Sequence, residues 1–270
     1  MTAKGVFSRT ALALAAGCVW TMSPADAAPA AADPPAATTA AAATKGLSSR
    51  DILFEADQSR GNLKGVRWIV DIDAFENGAR QLSTMDVKAR GYDFFAVYLA
   101  PAKAKEQRVL FVERNMWFGK PGVSKPVPIS PRQKLSGGTT YGDIAATNYS
   151  DDYEAKRLED ETVDGFPCYV FDLKAANKRS TYDRIKYWVS KDRTVAVKAQ
   201  YYTVSGKMFK SARFEFNHRV QVAGKDKPFI SKIVISDAVV KENVTTMTFG
   251  IPSLAEVPDA IFDVNMLMSR

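Results

Sequence analysis

The 270-residue chain carries 37 Lys and Arg against 30 Asp and Glu, a formal net charge of +7, with one His and two Cys. Imidazole metal sites generally need two or more His and structural zinc several Cys, so His218, Cys18 and Cys168 exclude the common metal constellations and leave a Ser-His-Asp or Cys-His device a single base. An apolar content of 46% with 11% aromatic residues is that of a folded domain with a sizeable core.

Residues 1–27 read as an export signal. Lys4 and Arg9 form the charged start, Thr10 to Met22 an apolar run too short to span a membrane, and Ala25-Asp26-Ala27 a small-x-small cleavage site. Leu14-Ala15-Ala16-Gly17-Cys18 is a competing lipobox-like signal in which Cys18 would be lipidated; the short spacing from Arg9 and the apolar residues beyond Cys18 favour simple secretion. Cleavage removes two positive charges, one negative charge and Cys18, so the mature chain carries +6 and one thiol, Cys168, and has no internal disulfide. Residues 28–46 are Ala, Pro and Thr with single Asp and Lys residues. Such a run has no large apolar side chains to offset ordering entropy and is expected to be a flexible leader.

The domain itself, residues 47–270, opens on a helix signal: Ser48 or Ser49 as cap, Asp51 near the positive end of the dipole, Ile52, Leu53 and Ala56 as an apolar face, and a stop at Gly61. The period then changes to two. Val66, Trp68, Val70 and Ile72 alternate with polar residues, and similar runs recur near 79–90, 92–99, 107–113, 153–163, 166–174, 182–190, 194–204, 207–220, 228–238 and 242–250. Short turns such as Asp164-Gly165, Lys191-Asp192 and Ser205-Gly206 make neighbouring strands antiparallel, giving one meander of about eleven strands. A sheet that wide must curl or close. In the run 166–174, Tyr169, Phe171 and Leu173 oppose Cys168 and Val170; in 182–190, Ile185, Tyr187 and Val189 oppose Trp188. One face is therefore expected to pack on helices and the other to stay partly solvated.

Two segments interrupt the rhythm. Residues 119–131 hold four Pro and two Gly, which forbids a central strand. Residues 136–152 hold Gly137-Gly138, a short helix signal at Tyr141-Gly142-Asp143-Ile144-Ala145-Ala146, and Asp151-Asp152. At the end of the chain, Pro258 stands near a further helix start.

Reactive constellations are sparse. His218 alternates onto the face of Phe214 and Phe216, as a packed or rim histidine does, and Cys168 reads as a small buried thiol. Asp71 and Asp73 share a strand face but have no visible fixed partner, so paired-carboxylate catalysis is a weak reading. Walker, dinucleotide and Gly-x-Ser-x-Gly sequences are absent. The basic residues are scattered over strand exteriors, which argues against nucleic acid and is compatible with transient contact with anionic membranes.

Asn115-Met116-Trp117 after a strand, the proline-rich segment, Gly138 through Tyr141 to Asp143-Ile144, Tyr153-Glu154 and the hairpin Asp164-Gly165-Phe166-Pro167-Cys168-Tyr169, in that order, resemble the outer-membrane lipoprotein-sorting (LolA-like) family over about residues 48–268. The resemblance is nearest to the branch that accompanies RND-type lipid-exporting transporters. It implies a mainly β (α+β) fold: a strongly curved antiparallel sheet forming an incomplete barrel, with short helices plugging the concave face around an apolar cavity. It further implies a periplasmic carrier of lipid or lipoprotein acyl chains, with an inner-membrane RND-type transporter as partner, no cofactor and no covalent chemistry. The lid-latching arginine of the sorting proteins has no counterpart that can be placed here residue by residue. The expected lid and cavity residues are Trp68, Met116, Trp117, Phe118, Tyr141, Ile144, Phe171, Phe214, Phe216 and Phe249. Two alternatives stand beside the carrier. A lipid- or protein-sensing regulator of the same fold would be expected to add a smaller domain after the half-barrel, where this chain has only a short tail after Phe249, and an enzyme would rest on His218.

Overall fold

In a computed structural model, residues 46–145 and 148–268 are described; the export signal and almost all of the leader lie outside them. The first element is helix α1 (Ser49–Gln58), capped by Ser48, whose Oγ accepts the Asp51 N–H while the Asp51 carboxylate accepts the Ser48 N–H. Its turn exits through Gly61 at φ +115°, where a Cβ would stand 2.9 Å from the Trp68 ring, so glycine is what lets the helix end lie on that indole.

The strands follow in a meander. β1 (Val66–Glu76), β2 (Ala79–Arg90), β3 (Asp93–Ala100), β4 (Arg108–Val112) and β5 (Asn115–Gly119) pair in sequence, and β6 (Val127–Ile129) ends that side. Pro128 lies in β6, on the sheet edge, where a missing N–H costs no ladder bond. A small hairpin, β7 (Lys134–Ser136) and β8 (Thr139–Thr140), leads to two four-residue helices, α2 (Tyr141–Ile144) and α3 (Tyr149–Asp152). The chain returns through β9 (Tyr153–Arg157) and β10 (Glu161–Val163), which share one side of β11 (Phe166–Ala175), and continues through β12 (Arg184–Ser190), β13 (Ala196–Tyr202) and β14 (Met208–Glu215). A separate hairpin, β15 (His218–Val222) and β16 (Lys225–Phe229), precedes β17 (Lys232–Asp237) and β18 (Val244–Phe249).

Among the described residues the main sheet has 14 strands, all antiparallel, and runs from the β9 and β10 edge through β14, β17, β18 and β1 to β6 without closing into a barrel. The expected eleven runs become more strands because three of them break and because β5 to β8 form in 115–140, where no strand was expected. The run 153–163 divides into β9 and β10, 207–220 into β14 and β15, and 228–238 lies across the end of β16 and the whole of β17.

The two faces separate as the alternation requires. Tyr169, Phe171, Leu173, Ile185, Tyr187 and Val189 lie in one large core on the concave side with α1 residues Ile52, Leu53 and Ala56. Cys168, Val170 and Trp188 form a small cluster on the opposite face with Val163 and Val197. A third cluster lies under the C-terminal 3-10 turns, Asp259–Phe262 and Val264–Met268, where Phe262 and Leu267 cover Leu110, Phe95 and Trp117. No helix among the described residues is long and apolar enough to cross a membrane.

Candidate functional site: a filled concave face with two buried charged centres

The concave face is apolar and closed. Trp68 packs edge-on against Phe229, with ring centroids 5.8 Å apart, and beside Phe249 at 6.4 Å. Tyr187 meets Tyr149 at 5.1 Å and Phe214 at 6.3 Å. The cover over these rings is short: one turn-and-a-half of apolar α1 surface, then α2 and α3. The free space beside α2 and α3 is about 40 Å³, bordered by Phe111, Met116 and Tyr153 and by the charged Arg114 and Asp152. Ligand pockets for small molecules hold roughly 300–1,000 Å³, so this space is too small for one. A larger open groove, about 1200 Å³, lies elsewhere, outside the core between Phe54 and Leu63 of the α1 end, Val222 of the β15–β16 hairpin and Leu254 to Pro258.

Nine of the ten expected lid or cavity residues lie in or against this core. Trp68, Met116, Ile144, Phe171, Phe214, Phe216 and Phe249 are buried in it, and Phe118 and Tyr141 are half-buried against it. Trp117 is on the other face, beneath the C-terminal turns. Met116, Trp117 and Phe118 are consecutive in β5, so the middle one must point away from its neighbours. His218 sits at the rim with Nε2 2.7 Å from the Phe249 carbonyl oxygen. Asp73 and Asp71 are engaged on the outer face by Arg80 and by the Thr84 hydroxyl, respectively.

Two buried charged centres were not among the expected residues. The first ties α2 to the sheet. Lys210 Nζ donates to Asp143 Oδ2 and to the Gly138 carbonyl, each at 2.8 Å, and both side chains are only 4% exposed. Asp143 also accepts from the Tyr182 hydroxyl at 2.5 Å and from the Thr140 N–H at 2.8 Å. Burial alone pushes the Asp143 carboxyl up, but the Lys210 ammonium and these hydrogen bonds outweigh it and hold the carboxyl below its ordinary range. The Gly138-x-x-Tyr141-x-Asp143 pattern is thus the sequence of this latch: Gly138 supplies a carbonyl to Lys210 and its N–H to Thr245 Oγ1, and Asp143 caps α2. Lys210 was legible in principle. It occupies an inward position of β14 in register with Ala212 and Phe214, where a lysine demands a partner.

The second centre joins α1 to α3. Asp57 is fully buried; its Oδ2 accepts the Ser150 N–H at 2.9 Å while Oδ1 has no partner among the described residues. Burial pushes the Asp57 carboxyl up to about 7, against the lowering effect of the Ser150 and Tyr149 backbone and of Arg60. Arg60 lies two residues beyond α1 with 7% exposure. Arg50 on α1 reaches Asp151 on α3 at 2.6 Å. No sequence signal separates Arg60 in Ser59-Arg60-Gly61-Asn62 from an ordinary exposed basic residue past a helix end.

Comparison with known proteins places this architecture. A family model described as an uncharacterized protein matches residues 91–269. A LolA superfamily protein from Nitrosomonas europaea superposes with a TM-score of 0.72 at 28% identity, over 81% of this chain and 98% of that one. A DUF1329 family protein from Desulfovibrio piger gives 0.68 at 19% identity over 81% and 97%, and a putative outer membrane lipoprotein-sorting protein domain from Vibrio parahaemolyticus gives 0.68 at 15% over 81% and 97%; both share the fold. No curated protein matches the chain. The chain belongs to the family that the matching model describes, within the LolA-like superfamily.

Proposed function

We propose that the protein is a periplasmic carrier that binds a lipid, or the acyl chains of a lipoprotein, on its concave face and passes it between membrane complexes without covalent chemistry. One observation carries this reading. A single wide sheet places a continuous apolar face under nothing thicker than α1 and two four-residue helices. An ordinary two-layer domain covers such a face with a second sheet or long helices. Here the cover is tied through side-chain contacts such as Asp143 with Lys210, Asp57 with Ser150 and Arg50 with Asp151, each of which a ligand or solvent can replace. Lifting it opens a trough in which each buried methylene contributes about 0.8 kcal/mol, enough to hold an acyl chain and little enough to release it to a competing apolar site. The fold relationship to LolA superfamily structures supports export and lipid handling, and an inner-membrane transporter of the RND type is the donor or acceptor that the family resemblance suggests.

Native mass spectrometry with lipid extraction of the purified mature protein tests the carrier. Co-purifying or exchangeable lipid in one-to-one stoichiometry is expected. Failure to take up any member of a panel of phospholipids, fatty acids and lipopeptides would overturn the reading.

A further inference from the structure

The Arg60 guanidinium is a buried cation whose chemistry the carrier reading leaves unused. It stacks on the Phe214 ring at 4.7 Å and faces the Tyr149 ring at 5.4 Å, both rings belonging to the concave core. Its Nε and Nη1 have no hydrogen-bond partner among the described residues, and no carboxylate there lies within ion-pair distance of it. The polar atoms gathered at the same seam are in the same condition: Asp57 Oδ1, Asn62 Nδ2, Ser150 Oγ and Tyr187 Oη are buried and unpartnered. Arginine stays protonated at any physiological pH, so burial cannot neutralise it. A buried cation left uncompensated is among the costliest features a core can hold. Its planar fork matches phosphate and carboxylate oxygens two at a time.

We propose that Arg60 is the anion-reading residue of the chamber: the carried molecule is an amphiphile whose phosphate or carboxylate pairs with Nε and Nη1 of Arg60 while its chain lies on the concave aromatic face. The inference rests on the carrier reading and specifies its ligand. Hydroxyl and amide donors of Tyr187, Ser150 and Asn62 stand at the same seam to complete the anion's shell. Asp57, the acid of the seam, opposes an anion when charged and donates to one when protonated.

The test measures binding of dodecyl phosphate, laurate, dodecanol and inorganic phosphate by calorimetry to the mature protein and to Arg60→Gln, Arg60→Lys and Asp57→Asn. The wild type is expected to bind dodecyl phosphate and laurate about tenfold or more tighter than dodecanol, the scale of a charge-assisted hydrogen bond, and inorganic phosphate far more weakly than dodecyl phosphate. Arg60→Gln should bind all three alkyl probes alike, at the dodecanol level, and Arg60→Lys should keep part of the preference. Should Arg60→Gln not fold, Asp57→Asn serves: at about pH 8 it should bind dodecyl phosphate several-fold tighter than wild type by removing the opposing carboxylate. Dodecanol binding without any preference for the anions, an Arg60→Gln protein that retains the preference, or inorganic phosphate binding as tightly as dodecyl phosphate would each overturn the role given to Arg60 while leaving the carrier intact. Binding of no alkyl probe would overturn the carrier itself.

Discussion

The two buried charged centres of the concave face are built from the same materials to opposite ends. At Asp143 and Lys210 each charge meets its counterion, and hydroxyl, amide and carbonyl groups add further hydrogen bonds. At Asp57 and Arg60 the acid and the base lie near one another without forming an ion pair, and Asp57 Oδ1 and Arg60 Nε and Nη1 have no partner among the described residues. A satisfied buried pair fixes one arrangement of the chain, because breaking it strands a charge. An unsatisfied one makes the closed arrangement costly and gains most from a newcomer of the right charge. On the carrier reading, α2 would be the anchored side of the cover and the α1–α3 seam the side that opens.

The largest expected effect follows from the anchored side. Lys210→Met should lower the unfolding free energy by roughly 3–5 kcal/mol, because Asp143 would remain buried without its cation. The double variant Asp143→Leu with Lys210→Met should recover much of that loss. Urea denaturation of the four proteins of this cycle measures both, and a near-zero loss for the single variant would show that the latch does not hold the cover.

The seam should respond to pH in a way that the latch does not. Asp57 has a folded value of about 7 against an ordinary 3.8, so the folded protein holds this proton more tightly than the unfolded chain. Its contribution to stability is complete below about pH 4 and is lost as pH rises through about 7, at up to roughly 1.4 kcal/mol per pH unit across that window. Arg60 opposes the shift; on the same α3, the Tyr92 hydroxyl and Arg50 hold Asp151 below its ordinary range, while burial pushes Asp152 up, so the slope carries an Asp152 part that Asp57→Asn leaves in place. Asp57→Asn should flatten the slope between pH 4 and 7, measured by thermal unfolding across that range. An unchanged slope would place the titration elsewhere.

Arg60 should give the smallest change in stability, and of the opposite sign to Lys210. Arg60→Met keeps most of the packing on Phe214 and removes an uncompensated charge, so the ligand-free protein should be unchanged or more stable by about 1–2 kcal/mol. A loss of several kcal/mol, by the same denaturation assay, would mean that the guanidinium is paired in solution.

How far the sequence foretold this architecture follows from where each signal resides. Alternation assigned Tyr169, Phe171 and Leu173 to one face and Cys168 and Val170 to the other, because a strand's period is a local property. The prolines of 119–131 excluded a central strand for an equally local reason, and β6 with Pro128 is an edge. Trp117 lies apart from the other expected residues because three consecutive strand residues cannot share a face. The α1–α3 seam was out of reach. Asp57 and Ser150 are 93 residues apart, and their burial is decided by α3 folding back over α1, which no window of sequence contains. Lys210 lay between these cases, since its inward position was visible in the strand and its partner Asp143, 67 residues away, was not.

The central claim is that the concave face opens at its cover to hold an acyl chain. Amide hydrogen exchange with and without dodecyl phosphate tests it directly. The account predicts altered exchange in α1, α2 and α3, residues 49–58, 141–144 and 149–152, with β11 to β14 keeping their protection. Unchanged exchange in those helices, with new protection confined to residues 254–259 of the outer groove, would contradict it.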